Sequence, residues 1–364
     1  MKWGHKIILF FTILAAIALV FSYAAMYTKP TALWWISFFG LAYFPIIIVN
    51  LIFLFYWLFV KRKVFVILLI IVLMGWKAHA SYFAFAPGKK EDEENAMTIL
   101  TWNVKGLDAY NPDAPYQNRD LMIQTISDAK PDIICLQEFN TYQNESKEKS
   151  NLEALLKATG LQHYYYFKAY ENKKKTRSFG LIIFSRYPIQ KTGVVEYNNV
   201  SKLNTTIYAD VDINGKTIRV FTSHLQSTQL THRDLEFVQQ TQESDSTQFD
   251  AERVAKKLNT AFQMRVQQCD SVANALEQSP YPVVLCGDFN DTPVSYTYQT
   301  VSENLQDAFL QSGLGIGGTF VALPFLRIDY MLFDEDVFTI SGYKRIKTKT
   351  SDHYPVVTMF QMAE

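Results

Sequence analysis

The sequence predicts a mixed α/β domain carried behind three membrane-spanning helices. Three observations predict it. The first ninety residues hold three long apolar stretches, at 7–27, 33–60 and 64–86. From residue 97 the pattern changes to short β-branched or apolar runs alternating with helix-like stretches. Several of those runs end on Asn, Glu, His or Asp, the side chains that hold metals and move protons.

Each apolar stretch is near or above the ~20 residues that a spanning helix needs. A signal peptide accounts for the first but for neither of the others. Helices of a soluble core do not run so long without charge. Pro45 is expected to kink the second stretch. Trp34, Trp35, Tyr56, Trp57 and Trp76 stand near stretch ends, where interfacial aromatics belong. Lys2 and Lys6 precede the first stretch, Lys61-Arg62-Lys63 separates the second from the third, and the first connection holds only Lys29. Placing the basic ends in the cytoplasm gives an in-out-in-out order. The expectation is a multi-pass protein of the inner (cytoplasmic) membrane, with the lipid bilayer as a partner and everything after residue 86 on the periplasmic or extracellular side. Residues 1–88 are then the anchor, 89–96 a polar linker within Pro-Gly-Lys-Lys-Glu-Asp-Glu-Glu-Asn, and 97–364 one domain.

In that domain, strands are predicted at 97–102, 132–136, 179–184, 205–211, 217–222, 283–286, 328–333 and 355–360. Helices are predicted at 119–129, 152–159 and 252–277. Asn214-Gly215 between two alternating runs signals a hairpin with φ > 0 at both turn positions. The polar segment 228–251 reads as an insertion or lid-like loop, or equally as a plain solvated connection. About 270 residues are enough to bury a core as one unit. Nine of the 35 basic and four of the 35 acidic residues lie in 1–96, which leaves 26 and 31 in the domain, a net −5. That balance disfavours nucleic acid, whose non-specific affinity comes from Lys and Arg neutralising phosphates. Cys135 and Cys286 sit in apolar runs, and with Cys269 they make an odd count, so buried free thiols are expected rather than a disulfide framework.

The strand ends carry the candidate site. Asn103 closes the first run, and taken alone it reads as a turn residue. Glu138 follows the apolar run through Leu136, at a rim where an unpaired carboxylate is costly. His224 ends the run before Leu225-Gln226; a lone histidine there is more often structural. Asp288 and Asn290 stand two apart in Gly287-Asp288-Phe289-Asn290 and share a face of an extended segment, although an Asx turn explains them equally well. Arg327 and Asp329 also share a face, with an ion pair as the ordinary reading. Asp352 adjoins His353, and a carboxylate beside an imidazole fixes its tautomer for proton transfer.

Together, Thr-Trp-Asn-Val (101–104), Pro-Asp-Ile-Ile-Cys-Leu-Gln-Glu (131–138), Gly-Asp-Phe-Asn (287–290), Arg-Ile-Asp-Tyr-Met-Leu (327–332) and Ser-Asp-His-Tyr-Pro-Val (351–356) resemble the endonuclease/exonuclease/phosphatase superfamily over roughly 97–362. The resemblance implies a four-layer α/β sandwich of two packed mixed β-sheets flanked by helices. It implies a metal site of Glu138, with Asn103 and Asp352, holding Mg²⁺ or alternatively Mn²⁺. It implies that His224 contacts the scissile phosphate, that Asp288 and Asn290 orient or deprotonate water, and that Asp329 orients His353, the acid/base imidazole; whether Asp288 or His353 is the base stays open. Ser-His-Leu-Gln (223–226) is closer to the sphingomyelinase and phosphatase branches than to the abasic-site endonucleases. The reading is a membrane-anchored, metal-dependent phosphoesterase acting on a phosphate ester, a lipid headgroup or small molecule being preferred. The rivals are an extracytoplasmic nuclease and a catalytically silent scaffold.

Overall fold

The computed structural model describes residues 3–86, 96–109, 117–142, 150–197, 202–229, 231, 234 and 247–362. The expected linker lies outside them except for Ala96, as does most of the 228–251 insertion. The chain divides into two units. The first comprises Met1–Phe83, Leu230–Val266 and Asp291–Thr300; the second comprises Ala84–Gln229, Gln267–Asn290 and Val301–Glu364.

In the first unit the apolar stretches become α1 (Trp3–Ala25), α2 (Ile36–Leu41), α3 (Tyr43–Val60), α4 (Arg62–Met74) and α5 (Trp76–Tyr82). By length and composition two helices, α1 and α3, are able to cross a membrane, rather than the three expected. The third stretch is a pair, α4 and α5, bent by 59°. Gly75 is the cause. It stops α4 at φ −84°, ψ 19°, and a Cβ there would lie 2.0 Å from the Tyr23 ring, so only glycine admits that ring. The Val72 carbonyl near the break accepts from Tyr23 Oη at 3.3 Å and faces His79 Nε2 at 2.8 Å, as a buried carbonyl must find partners.

The second stretch is interrupted as Pro45 dictates: the helix breaks at Ala42 (φ −88°, ψ 11°), because Pro45 has no N–H for the Leu41 carbonyl and its ring crowds that carbonyl, and Pro45 itself falls in the first turn of α3. Trp57 is not interfacial: it is fully buried and donates to Thr12 Oγ1 at 2.8 Å. His5 beside Tyr56 Oη at 2.7 Å shows that α1 and α3 run antiparallel. The helix α8 (Thr247–Glu277) starts five residues before its predicted onset. Its Val254, Leu258 and Phe262 pack with Phe38 and Leu41.

In the second unit the strands, in chain order, are β1 (Ala84–Phe85), β2 (Met97–Asn103), β3 (Ile133–Tyr142), β4 (His163–Glu171), β5 (Arg177–Ser185), β6 (Ile189–Val195), β7 (Thr206–Ile213), β8 (Lys216–His224), β9 (Val283–Asp288), β10 (Gln306–Asp307), β11 (Leu314–Gly315), β12 (Asp329–Phe333), β13 (Phe338–Arg345) and β14 (Val356–Met362). Two six-stranded sheets result, in the orders β13-β14-β2-β3-β5-β4 and β10-β12-β9-β8-β7-β6. The pairs β2/β3 and β8/β9 are parallel and the other pairs within these two sheets antiparallel, so both sheets are mixed. β1 and β11 form a separate two-stranded ribbon.

Alternation along the strands builds the layers. Ile99, Ile133, Cys135 and Ile183 point from one sheet, and Ile207, Val220, Val284 and Cys286 from the other, into a shared core where each is fully buried. The residues one step along, Leu100, Trp102, Ile134, Leu136 and Ile182, face outward and pack on Met122 and Ile126 of α6 (Arg119–Asp128) and Leu155 of α7 (Asn151–Thr159). Burial on both faces is why these strands read as unbroken apolar runs. Each such side chain contributes roughly 1.5–3 kcal/mol. The expected sandwich is thus present in its two packed mixed sheets and its helices. The hairpin also forms where expected, with Ile213 opposite Lys216 and φ of 54° and 90° at Asn214 and Gly215. All three cysteines are buried and free.

Candidate active site

Strand register brings the polar run-ends together. Asn103 ends β2 opposite Gln137 of β3, His224 ends β8 opposite Asp288 of β9, and Asp288 in turn faces Asp329, the first residue of β12. Asp352 and His353 immediately precede β14, whose Val356 pairs with Thr101 near the end of β2. One end of the two sheets therefore carries every candidate.

Local backbone aims the side chains. The pairing of β3 with β5 shifts register between Leu136 and Phe139, and Glu138 within that bulge has φ 55°. A left-handed glutamate costs of order 1–3 kcal/mol, strain that is concentrated at functional sites. Gly287 is required for closeness: its φ is 125°, and a Cβ would sit 2.1 Å from the Ser223 carbonyl oxygen on β8. Without it β8 and β9 could not bring His224 beside Asp288.

Asp288 is the hub. Its Oδ2 accepts from Asn103 Nδ2 at 3.0 Å and lies 3.8 Å from His224 Nε2 and 3.7 Å from His353 Nε2; its Oδ1 accepts from the Asn290 amide at 2.8 Å. Asn103 Nδ2 also reaches Glu138 Oε1 at 3.3 Å, and His224 Nε2 is 3.7 Å from the same oxygen. His353 Nδ1 donates to Asp329 Oδ2 at 2.9 Å, while the backbone carbonyl of His353 accepts from the Trp102 indole at 2.8 Å. Two candidates stand apart from this group. Asn290 turns its Nδ2 to the Leu225 carbonyl at 3.1 Å, and Asp352 pairs with Lys105 Nζ at 2.9 Å. Arg327 pairs with Asp307, not with Asp329.

Several contributors were not foreseen. Ser351 Oγ donates to the Asn103 carbonyl at 2.8 Å and ties the last motif to the first. Buried Gln137 bridges the sheets by donating to Thr101 Oγ1 at 3.0 Å and Thr222 Oγ1 at 2.7 Å. Thr319 Oγ1 accepts from the amides of Ile328 and Asp329 at 3.1 Å each. Lys105 opens a turn in which Lys105, Gly106, Leu107 and Asp108 all have positive φ. Ser351 and Gln137 lie inside quoted motifs that could have flagged them; Thr319 and Lys105 do not.

Burial pushes the Asp288 carboxyl up, and the charge of Asp329 adds to this against the opposing pull of His353, His224 and Asn103. Burial alone would lower His353, but the charges of Asp329 and Asp288 outweigh it and hold the imidazole well above its ordinary value. For Asp352 burial pushes up, yet His353 and Lys105 together bring the carboxyl below its usual range. A raised histidine contributes stability that is complete below its unfolded value of about 6.5 and is lost as pH rises through the folded one. Metal-stripped protein should therefore lose stability on the alkaline side, and Asp329→Asn should flatten that slope. Denaturant midpoints measured across pH 5–10 in chelator decide this; parallel curves for both proteins would refute it.

The donors fit a divalent cation. Ligand atoms of Asp288, Asp329 and His353 all lie within 4.8 Å of one another and are buried. Among the described residues neither ring nitrogen of buried His224 has a hydrogen-bond partner, and such groups are costly unless something is bound.

A family model described as the Endonuclease/Exonuclease/phosphatase family matches residues 100–353. A second, a domain of unknown function (DUF8431), matches residues 5–82. Tyrosyl-DNA phosphodiesterase 2 of Xenopus laevis is 28% identical over 156 residues, which cover 43% of this chain and 38% of that protein. The chain thus spans well under half the length of this curated relative. Among solved structures, the human Nocturnin catalytic domain superposes with a TM-score of 0.52 at 17% identity, covering 74% of this chain and 94% of that one. An endonuclease/exonuclease/phosphatase protein from Beutenbergia cavernae gives 0.51 at 18%, covering 74% and 72%. The two structures share the fold, the family model spans every candidate residue from Asn103 to His353, and the chain belongs to the Endonuclease/Exonuclease/phosphatase family, a family of metal-dependent phosphoric-ester hydrolases.

Proposed function

We propose that the chain is a membrane-anchored phosphoesterase that hydrolyses a phosphodiester or phosphomonoester by in-line attack of water. The carrying observation is the buried Asp288–Asp329–His353 group with Glu138, Asn103 and His224 around it. Glu138, Asn103 and Asp352 are the residues assigned to hold Mg²⁺ or Mn²⁺. When bound, the cation neutralises charge developing on the phosphoryl oxygens. Asp288, made more basic by burial, accepts the proton of the attacking water, while Asn290 and His224 hold phosphate oxygens. His353, kept protonated by Asp329, gives a proton to the leaving oxygen. A silent scaffold would have no reason to keep these groups aligned.

The contacts of the first unit support a third crossing and an exported site. Val64, Leu68 and Ile71 of α4 line one groove with Leu9 through Phe21 of α1, and Lys77 of α5 sits 5.4 Å over the Tyr27 ring. The α4–α5 pair thus runs the length of α1 despite its bend. At the Tyr27 end, the Gly40 carbonyl accepts from Thr292, and Phe38 packs on Phe262. Thr292 and Phe262 of this unit are therefore at the end opposite Lys61–Lys63, and the charge bias puts that end outside the cytoplasm. A periplasm-active reporter fused after Glu364 should report and a cytoplasm-active one stay silent; the reverse pattern would sink the localisation.

A small or lipid-borne ester is preferred as substrate. Exposed Lys173, Lys174 and Lys175 turn between β4 and β5, and exposed Lys344 near the end of β13 is followed by exposed Lys347 and Lys349 before β14, both groups at the site's end of the sheets. Local basic patches on an acidic domain suit a compact anion better than a long polyanion. A nuclease-type reading also has support, because the curated relative is named for DNA-linked phosphodiester chemistry. The full chain in detergent should be assayed at low salt on phospholipids, inositol and sugar phosphates, DNA and RNA. Turnover of a lipid or small ester bears the preference out; plasmid cleavage suppressed steeply by salt and unmatched by the others reverses it.

A further inference from the structure

The basic end of the first unit is assembled from three helices. His5 Nδ1 of α1 lies 2.7 Å from Tyr56 Oη of α3, which brings Lys6 near the end of α3. That helix passes through Lys61 straight into α4 at Arg62. Lys6, Arg62 and Lys63 are exposed. None of residues 1–90 is Asp or Glu; the first acid is Glu91. Asp234, Asp250 and Asp291, which the same unit takes from later in the chain, are paired with Arg253 and Arg265. Both α1 and α4 begin at the basic end, which adds the positive ends of their dipoles. An apolar groove of about 470 Å³ opens one turn away, in the size range of ligand clefts. Leu9, Ile13, Ile17 and Val20 of α1 form one wall, and Val64 and Ile67 of α4 the other. Lys6 precedes Leu9 by three residues and Lys63 precedes Ile67 by four, so each stands one turn before the stripe that lines the groove. Thr12, the one polar residue among the described lining, turns its hydroxyl away: it donates to the Ile8 carbonyl at 2.8 Å and accepts from the Trp57 indole at 2.8 Å. From Leu9 to Phe21 the α1 wall runs about 18 Å at 1.5 Å per residue, slightly more than the ~15 Å of one leaflet's hydrocarbon.

We propose that the first unit carries a site for one anionic phospholipid of the cytoplasmic leaflet. One acyl chain lies in the groove between α1 and α4, and the phosphate group meets Lys6, Arg62 and Lys63. The basic cluster, with no carboxylate in its own segment, selects the charge of the headgroup. The groove, one leaflet long and starting at the basic end, takes the chain. A second copy of this protein, oriented alike in the membrane, would set another basic end beside the first and leave both unneutralised. The inference goes beyond the hydrolase reading and rests on the membrane reading of α1, α3 and the α4–α5 pair.

The test uses the full chain in mild detergent, phosphatidylglycerol and phosphatidylcholine of matched chains as probes, and native mass spectrometry as readout. One phosphatidylglycerol should be retained per chain, about tenfold or more tighter than phosphatidylcholine. Lys6→Gln and Lys63→Gln should each weaken phosphatidylglycerol about fivefold, the scale of one basic residue at an anionic surface, and leave phosphatidylcholine unchanged. Ile17→Trp and Ile67→Trp fill the groove from opposite walls, and each should lower retention of both lipids. Thermal unfolding in detergent checks that the variants fold; should neither tryptophan variant fold, the lysine variants alone decide. Equal retention of the two lipids overturns the proposal, as does a phosphatidylglycerol preference undiminished in the folded tryptophan variants or in both lysine variants. A lipid-free dimer that Ile17→Trp dissociates would give the groove to a second copy and overturn it too. Release of the chain from its membranes by alkaline carbonate would sink the membrane reading and the site with it, whereas retention there without headgroup preference sinks the lipid site alone.

Discussion

Replacing His353 by alanine is expected to lower kcat by about 10²–10⁴-fold, the usual contribution of a positioned acid–base group. The imidazole is buried, its Nδ1 is committed to Asp329 at 2.9 Å, and its Nε2 is left facing Asp288 Oδ2 at 3.7 Å. Asp329→Asn cannot accept that Nδ1–H with a charge, so it should act through His353. The double variant should then be hardly worse than His353→Ala alone, a strongly non-additive pair. Single-turnover rates for the three variants measure this; additive losses would show that Asp329 acts on its own.

Glu138→Gln should also bring activity close to background, for a different reason. The amide preserves size and keeps the residue in its bulge at φ 55°, but it removes the charge assigned to the cation. Activity should then respond weakly to added Mg²⁺ or Mn²⁺, whereas His353→Ala should keep the metal binding that Glu138 provides and fail chiefly in proton transfer. Metal titration by calorimetry separates the two defects. Near-normal turnover of Glu138→Gln at saturating metal would remove Glu138 from the site.

The interior of the fold was legible and its edges were not. The eight strands read from the sequence are β2, β3, β5, β7, β8, β9, β12 and β14, all of them interior in their sheets. The four missed there, β4, β6, β10 and β13, are the four edges. Interior strands bury both faces and leave an apolar run in the sequence. An edge strand such as β6, with Gln190, Lys191 and Thr192 exposed, carries no such signature. The candidate site was visible for the same reason: Asn103, Glu138, His224 and Asp288 stand out because apolar runs stop at them. Thr319 and Lys105 act through partners distant in sequence, which no local pattern reveals. The bend at Gly75 was hidden likewise, since its cause is the Tyr23 ring some fifty residues earlier. The attachment of Asp291–Thr300 to the first unit was equally out of reach, because Gly40 and Thr292 are ordinary residues until they meet.

The central claim is metal-dependent hydrolysis of a phosphate ester by this constellation. The most direct measurement is release of the aryl group from a bis-aryl phosphodiester by the purified full chain, with Mg²⁺ or Mn²⁺ and then with chelator. Multiple turnovers in metal are expected, abolished by chelator, restored by metal, and reduced by at least ~100-fold in Asp288→Asn and His353→Ala. A rate unchanged by chelator, or wild-type rates in both variants, would contradict the account.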